Sequence, residues 1–473
     1  MLAAAGLALT PSTTGTTTFA AAGRQAESTL VRVLYAGNGL WNQCGPPGCG
    51  LSNRDWGVDS LTYAVWLRWS TTHDAKLVPI LRALISTSPS YGTPCATRPC
   101  GWSDVPEWDA IASVREYQAT HDPRALAKAR AAFAYVEDAQ VFARGACPEI
   151  RYQQPEGEAN QLKTLETDAN AIKAALLLHL VTHEPKYLTS ARAHYAAVRK
   201  WFRDPALPLY SVYVFDDGHA CTQVPHRFFA SVNGDMIWNG LELWRVTHVR
   251  RYLDEALGAA AALVKLDDPN GVFADLQAEN DIAEPLVEAM YRLAHDRGSR
   301  LARLWILRNA AAALSARAPD GTFGRFFDGP PPRAMTTAWQ TNGGLALEIA
   351  AAALAPKTRI SSAKRWGGAQ TVTRAISVTD TVTFTGSGIA LLGTLGERCC
   401  ENGHARVFVD GVETFDRTGI WQNKSSSGRS IPNTVLFAWR WPKRGAHTIS
   451  FAPGEPNGKE GDSFLDLSGY AVR

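Results

Sequence analysis

The sequence predicts an all-α unit, an (α/α)6 toroid of six helical hairpins, followed by an all-β sandwich. Three observations carry this prediction: a phrase that recurs along the first two thirds of the chain, a difference between the helical arms on either side of it, and a switch from helical to alternating patterning near residue 355.

The recurring phrase is TTHDAKL from Thr71, ATHDPRAL from Ala119, VTHEPKYL from Val181, VTHVRRYL from Val246 and LAHDRGSRL from Leu293. Self-similarity at roughly 50 to 65 residues marks repeated supersecondary units. Asp122-Pro123 and Glu184-Pro185 place an acceptor side chain at a helix N-cap and proline at the first helical position, where its missing N–H costs nothing. Proline also disfavours helix at the residue before it, so each phrase is a stop and a restart. The two arms differ. DANAIKAALLLHLV from Asp168 is apolar nearly all round and reads as buried, whereas RALAKARAAFAYV from Arg124 has one apolar stripe at Leu126, Ala129, Phe133 and Val136 and reads as an outer layer.

In chain order the periodicity predicts helices near 24–36, 54–71, 76–87, 103–119, 123–138, 165–181, 185–202, 231–246, 250–264, 279–294, 299–316 and 336–354. An open solenoid of helix pairs would also fit. Six pairs with buried inner arms and Gly/Pro/Trp-rich loops favour a closed ring whose inner helix starts surround one funnel. From Arg359 the chain alternates, in VTFTGSGIALLG, ARVFVDGVETFD, TVLFAWRW and AHTISFAPG, with Asp410-Gly411 as a hairpin turn that accepts positive φ. Short strands with frequent turns predict a sandwich. The expected organisation is 1–23, a signal-peptide remnant or disordered N-terminus; 24–357, the helical unit; and 358–473, the β unit. Trp366, Trp421, Trp439 and Trp441 of the β unit are candidates for sugar stacking, or for its core.

The chain has 473 residues, 45% apolar content and a net charge of +3, with no long basic run, which argues against nucleic acid or an anionic membrane as partner. Residues 1–23 are uncharged, with a small-residue AAAG ending that resembles the end of a secretory signal. The eight cysteines fall into neighbouring pairs, Cys44 with Cys49, Cys95 with Cys100, Cys147 with Cys221, and Cys399 with Cys400, which suggests disulfides and export. Zinc is the rival for the short-gap pairs, but no partnering His motif accompanies them. Cys399-Cys400 is either a vicinal disulfide or two free or separately paired thiols. No stretch reads as a membrane span, no dimerising heptad is present, and neither an organic cofactor nor a metal motif is implied; a secreted monomer is expected.

The repeated histidine gives a ruler for depth in the funnel. Counting back 13 to 15 residues from His73, His121, His183, His248 and His295 reaches Asp59, Glu107, Asp168, Asn233 with Asp235, and Asp281. Helix capping explains part of this pattern. It does not explain the neighbouring tryptophans Trp56, Trp102, Trp108, Trp238 and Trp339. Acids with aromatics around a wide cleft suit carbohydrate chemistry, in which one carboxylic acid protonates the leaving oxygen and a second carboxylate attacks or stabilises the anomeric centre. The histidines, each expected at a hairpin corner, read as structural. Asp216-Asp217 reads as a turn that could alternatively project into the cleft.

The phrases SDVPEWDAIASVREYQATHDPRAL and VNGDMIWNGLELWRVTHVRRYL resemble those of six-hairpin glycosidases, most closely glycoside hydrolase family 76, the endo-acting α-1,6-mannanases, over residues 50–355. The resemblance implies two adjacent aspartates at the start of an inner helix, followed by tryptophans. The matching place reads Trp102-Ser103-Asp104-Val105-Pro106-Glu107-Trp108, with one aspartate, Asp104. Its partner is either Glu107, one turn along the same face, which suits a short separation and retention, or an acid from another helix such as Asp59 or Asp168, which suits inversion. The implied activity is hydrolysis of an α-linked, mannose-containing polysaccharide, with Trp56, Trp102, Trp108, Asn233, Asp235, Trp238, Asp281 and Trp339 lining subsites. A non-catalytic glycan binder, a polysaccharide lyase or a glycuronide hydrolase are the alternatives; the acidic rim disfavours uronate substrates.

Overall fold

The computed structural model describes residues 15–37, 40–42, 51–52, 61–83, 103–137, 143–152, 161–274, 283–332, 338–361, 364–395, 404–414, 420–421, 431–453 and 467–473. Trp56, Asp59, Trp102, Asp281 and the cysteines at 44, 49, 95, 100, 399 and 400 lie outside these residues.

Among the described residues twelve α-helices follow in order: α1 (Phe19–Thr29), α2 (Thr62–Thr72), α3 (Val78–Ala83), α4 (Asp104–Thr120), α5 (Pro123–Val136), α6 (Leu165–Thr182), α7 (Pro185–Trp201), α8 (Ala230–Thr247), α9 (Arg250–Leu263), α10 (Glu288–Asp296), α11 (Arg300–Ala316) and α12 (Ala338–Leu354). The even-numbered helices are the inner arms. In α6, Leu165 and every residue from Thr167 to Leu178 is buried, while its hairpin partner α7 buries one stripe through Tyr187, Ala191, Tyr195 and Val198. Each inner helix packs against the next, α10 together with the π-helical turn Ala283–Val287 that precedes it, and α12 packs against both α2 and α1.

Four of the repeated histidines show why the phrase recurs. His73, His121, His183 and His248 each end an inner helix in the left-handed region, with φ of 53°, 54°, 60° and 57°. Each donates its backbone N–H to the carbonyl four residues back. The preceding threonine completes the corner. Thr72, Thr120, Thr182 and Thr247 each donate their hydroxyl to the carbonyl four residues back and accept from the N–H two residues ahead. Left-handed backbone costs an ordinary residue about 1–2 kcal/mol; the edge-on contacts of His73 with Trp69 and His121 with Tyr117 help offset it. Asp74 and Asp122 then cap the next segment. The fifth copy corrects the expectation: His295 lies inside α10, stacked on Tyr291, and the left-handed residue is Gly298, because here the sequence supplies a glycine for the turn.

The N-terminus is a second correction. Strand β1 (Thr16–Thr18) pairs antiparallel with residues 359–361, and α1 packs along α12. Phe19 and Ala22 are buried, and Gly23 lies so close to Ala352 that an added Cβ would sit 2.6 Å from that residue's Cβ. Residues 16–23 therefore belong to the helical unit, because the small side chains expected of a leader also suit close helix packing.

Two three-stranded sheets occupy interhelical loops: β2 (Tyr35–Gly37), β3 (Leu40–Asn42) and β4 (Leu51–Ser52); and β5 (Leu162–Thr164), β6 (Tyr213–Asp216) and β7 (Cys221–Gln223). After β8 (Arg359–Ser361) come β9 (Gln370–Ile376), β10 (Thr381–Leu395), β11 (His404–Val409), β12 (Val412–Glu413), β13 (Ile420–Trp421), β14 (Ile431–Pro453) and β15 (Leu467–Val472). They form one antiparallel sheet ordered β12-β11-β14-β10-β15-β9, with β13 on β11. Asp410 and Gly411, at φ 51° and 79°, make the predicted turn between β11 and β12. Phe326, from the loop after α11, enters the core of this sheet beside Phe437. Asp328 from the same loop meets Arg365 and Arg440, and its carbonyl accepts from Trp366 Nε1 at 2.8 Å. Trp366 is therefore a buried anchor. Trp439 stacks on Phe437, and Trp441 on His447 with ring centroids 3.8 Å apart, so each has one face covered from within.

Candidate functional site

Asp104 and Glu107 occupy the first turn of α4, one helical turn apart on the same face. Ser103, at the N-cap position, does not cap the helix; its hydroxyl turns aside to donate to the Tyr152 carbonyl at 3.0 Å and lies 2.8 Å from the Thr167 hydroxyl. Asp104 is half-buried. Burial raises its carboxyl to about 6, against the opposing pull of the backbone N–H groups of Asp104 and Val105. Glu107 is fully buried, and among the described residues neither carboxyl oxygen has a hydrogen-bond partner. Burial pushes Glu107 well above the usual carboxylate range; Asp104, Asp168 and Glu166 add to this, and Arg151 opposes it. The two carboxyls thus differ in environment. One is semi-exposed and raised to about 6, while the other is fully buried and pushed well above the usual carboxylate range, the kind of difference that separates a base or nucleophile from an acid.

The remaining predicted residues divide. Asp168 is fully buried, and its oxygens accept from the Arg151 backbone N–H and guanidinium, each at 3.1 Å, and face His194 at 3.2 Å. It is committed to an internal ion cluster. Asn233 staples a loop, accepting from the Tyr210 N–H and donating to the Tyr210 and Phe229 carbonyls. Trp108 and Trp238 are sealed in the core, so neither offers an open stacking face; Trp238 packs under Lys173. Trp339 lies in the first turn of α12. Asp216 is buried against Lys163, and Asp217 accepts from the N–H groups of His219 and Ala220, as a turn requires.

Asp235 joins residues that periodicity did not single out. Lys173 contacts Asp235 at 3.2 Å, Glu284 at 3.4 Å and Glu288 at 3.0 Å, and Arg115 meets Glu284 at 3.1 Å and also Glu288. All are buried. Burial raises Asp235 to about 6, with Lys173 opposing. Burial and the neighbouring Glu288 raise Glu284 to about 7. Glu288 is held down to about 2, where Arg115 and Lys173 overcome its burial. The π turn brings Glu284 and Glu288 to the same two cations, and Gly234 lets it approach: an added Cβ would lie 2.4 Å from Leu286 Cα. One signal was visible in the sequence, a lysine at 173 inside an otherwise apolar arm.

Among the described residues the group spaced for a metal is Cys147, Asp216 and Cys221, whose two sulfurs are joined in a disulfide. No described helix is long and apolar enough to cross a membrane.

The chain is similar to solved structures of family 76 glycoside hydrolases. One is the α-1,6-mannanase of Salegentibacter sp. HEL1_6, solved as an inactive variant with two aspartates replaced and α-1,6-mannotriose bound; identity is 17% and TM-score 0.60, covering 71% of this chain and 99% of that one. A family 76 α-mannanase of Bacteroides thetaiotaomicron matches with 15% identity and TM-score 0.58, over 71% of this chain and 95% of the other. A further family member, from a bovine strain of that species, matches with 17% identity and TM-score 0.59, over 72% and 78%. At these identities the likeness shows the fold: over about seven tenths of its length the chain has the (α/α)6 helical fold of family 76. No protein-family model matches the sequence, and no curated protein does.

Proposed function

We propose that the chain is a secreted glycoside hydrolase that cleaves an α-linked mannan or related cell-wall polysaccharide within the chain, on a six-hairpin toroid with a C-terminal β-sandwich. The observation that carries the reading is the pair on α4: Asp104 half-open near the helix start, and Glu107 one turn deeper, buried and with its carboxyl pushed well above the usual range. Glu107 supplies the proton to the leaving oxygen, and Asp104 acts at the anomeric centre. Side chains one turn apart have Cβ atoms about 5–6 Å from each other, which suits the short carboxyl separation of a retaining mechanism. The family 76 fold and the mannotriose bound by the Salegentibacter enzyme support an α-1,6-mannan as substrate. Trp56, Trp102 and Trp339 are the proposed stacking residues, and Asp59 and Asp281 are further proposed polar contacts to the substrate. The test is reducing-end release from α-mannans, arabinomannan-type glycans and uronate polymers, comparing the parent with Asp104→Asn and Glu107→Gln. Release from one α-mannan that both substitutions abolish is expected.

One observation favours a second reading. The Salegentibacter enzyme was inactivated by changing two aspartates, whereas the α4 start here has one, preceded by Ser103 with its hydroxyl turned inward. A glycan binder without hydrolysis is the corresponding function. Retention on immobilised mannan with no reducing-end release would establish it and overturn the enzyme reading.

A further inference from the structure

Segment 143–152 crosses beside the starts of α4 and α6 with little regular structure, its backbone joined to β5 by a bridge between Tyr152 and Lys163. What fixes it is a buried lysine. Lys163 is fully buried, and its ammonium donates to the carbonyls of Arg144, Cys147 and Ile150, the latter two at 2.7 and 2.8 Å. An ammonium has three N–H groups, so each has an acceptor here, the condition for burying such a charge at tolerable cost. The same ammonium lies 3.3 Å from Asp216 and over the Tyr152 ring. Asp216 in turn accepts from the N–H groups of Ala146 at 3.1 Å and Gly218 at 2.9 Å. The Cys147–Cys221 disulfide ties the segment covalently to β7. Gly145, at φ 84°, is needed in this knot, since a Cβ there would lie 2.2 Å from Asp216 Oδ2 and 2.5 Å from the Tyr152 hydroxyl.

The far end of the segment grips both helix starts. The Tyr152 carbonyl receives the hydroxyl of Ser103, the residue before Asp104, and that hydroxyl also meets Thr167, the residue before Asp168. Arg151 donates from its backbone and guanidinium to Asp168, and its Nε donates to the Val136 carbonyl at the end of α5. The guanidinium also faces Glu137 and His194. Two adjacent residues thus bind α4 and α6 at the level of Asp104 and Glu107.

Taking Asp104 and Glu107 as the reacting carboxyls, we infer that the disulfide-tethered segment 143–152 is the positioning element of the site, with Arg151, Tyr152 and Lys163 as its positioning residues. Loss of the tether frees the segment, loosens the first turns of α4 and α6, and spoils the carboxyl geometry while the rest of the helical unit stays folded. Arg151 also opposes the upward shift of Glu107, so its removal makes that proton harder to release.

The test uses the full chain. Cys147→Ser with Cys221→Ser removes the tether, and Arg151→Gln is compared with Arg151→Lys. Amide hydrogen exchange within 107–112 and 168–173 is followed with kcat, KM and the pH profile of mannan hydrolysis. Expected are retained helical circular dichroism, exchange in those stretches faster by about tenfold or more, and kcat down by about tenfold or more with a smaller change in KM. Arg151→Gln moves the alkaline limb of the profile to higher pH, and Arg151→Lys restores most of the parent behaviour. Should the serine variant fail to fold, a chain with Cys44, Cys49, Cys95, Cys100, Cys399 and Cys400 replaced by serine is reduced after folding with a dithiol, which takes up the oxidising equivalent as its own disulfide and leaves the Cys147 and Cys221 thiols; the same exchange is then read. Unchanged exchange after loss of the disulfide overturns the inference whatever the activity. Faster exchange in a protein whose parent hydrolyses no mannan supports the positioning element and rejects the catalytic reading instead.

Discussion

The two ends of the inner helices are built by opposite rules. At the corner end, Thr120 and its counterparts give and receive a hydrogen bond, the next residue turns left-handed, and little backbone is left unsatisfied. At the opposite end, Glu107 is buried with no partner for either oxygen among the described residues, and Asp104 is pushed to about 6. The corner repeats because it solves one local problem each time; the mouth does not repeat because each helix contributes a different group. Repetition marks where stability is secured, and departure from it marks where chemistry is placed.

The sharpest way to break the mouth while sparing the corners is Asp104→Asn or Glu107→Gln. Each is expected to lower hydrolysis by about 10²–10⁴-fold, the usual contribution of such a group, with the helical circular dichroism signal retained. Parent-like turnover in either variant would remove that carboxyl from the reaction.

Acidity separates the two ends next. Carboxyls raised in the folded chain, Asp104 and Asp235 to about 6, Glu284 to about 7, and Glu348 to about 8 through burial, bind more protons folded than unfolded. Their stabilisation is complete below the ordinary carboxylate range and is lost as pH rises through about 6 to 8. The corner residue Asp122 behaves in the opposite sense. Its hydrogen bonds to Arg124 hold it down to about 2, so its contribution exists above the ordinary range and is lost as pH falls toward 2. Melting temperature is therefore expected to decline from about pH 5 to pH 8. A flat or rising curve over that interval would show that the buried carboxyls are not protonated as described. Glu107→Gln should flatten part of the decline, because an amide has no ionised form to desolvate.

Smaller effects belong to the corners. Thr120→Ala removes one donated and one accepted hydrogen bond and should cost about 1 kcal/mol in a denaturant titration, with activity unchanged. His121→Gly should alter stability least, by under about 1 kcal/mol, because relief of the left-handed backbone offsets the lost contact with Tyr117 and the greater freedom of the unfolded chain. A large loss on His121→Gly would give the imidazole a role beyond that turn.

The hairpins, the contrast between inner and outer arms, and the change of patterning after Ala355 were legible in the sequence because each is written in local periodicity and capping. The candidate site was legible only in part. Asp104 and Asp168 look alike as first-turn acids, yet one stays half-open and the other is claimed by Arg151, a loop residue whose destination no spacing reveals. The Arg115, Lys173, Asp235, Glu284 and Glu288 cluster draws on several helices and a π turn, so no single window of sequence contains it. Trp108 and Trp238 carried the right chemistry for stacking, but their positions put them in the core.

The pairing of Thr16 with Ser361, and of α1 with α12, has a consequence for biosynthesis. Helix α1 is synthesised well before α12, so the face bearing Phe19, Ala22 and Ala26 waits uncovered while the intervening hairpins are translated. A nascent chain stalled before α12 therefore leaves that face without its partner.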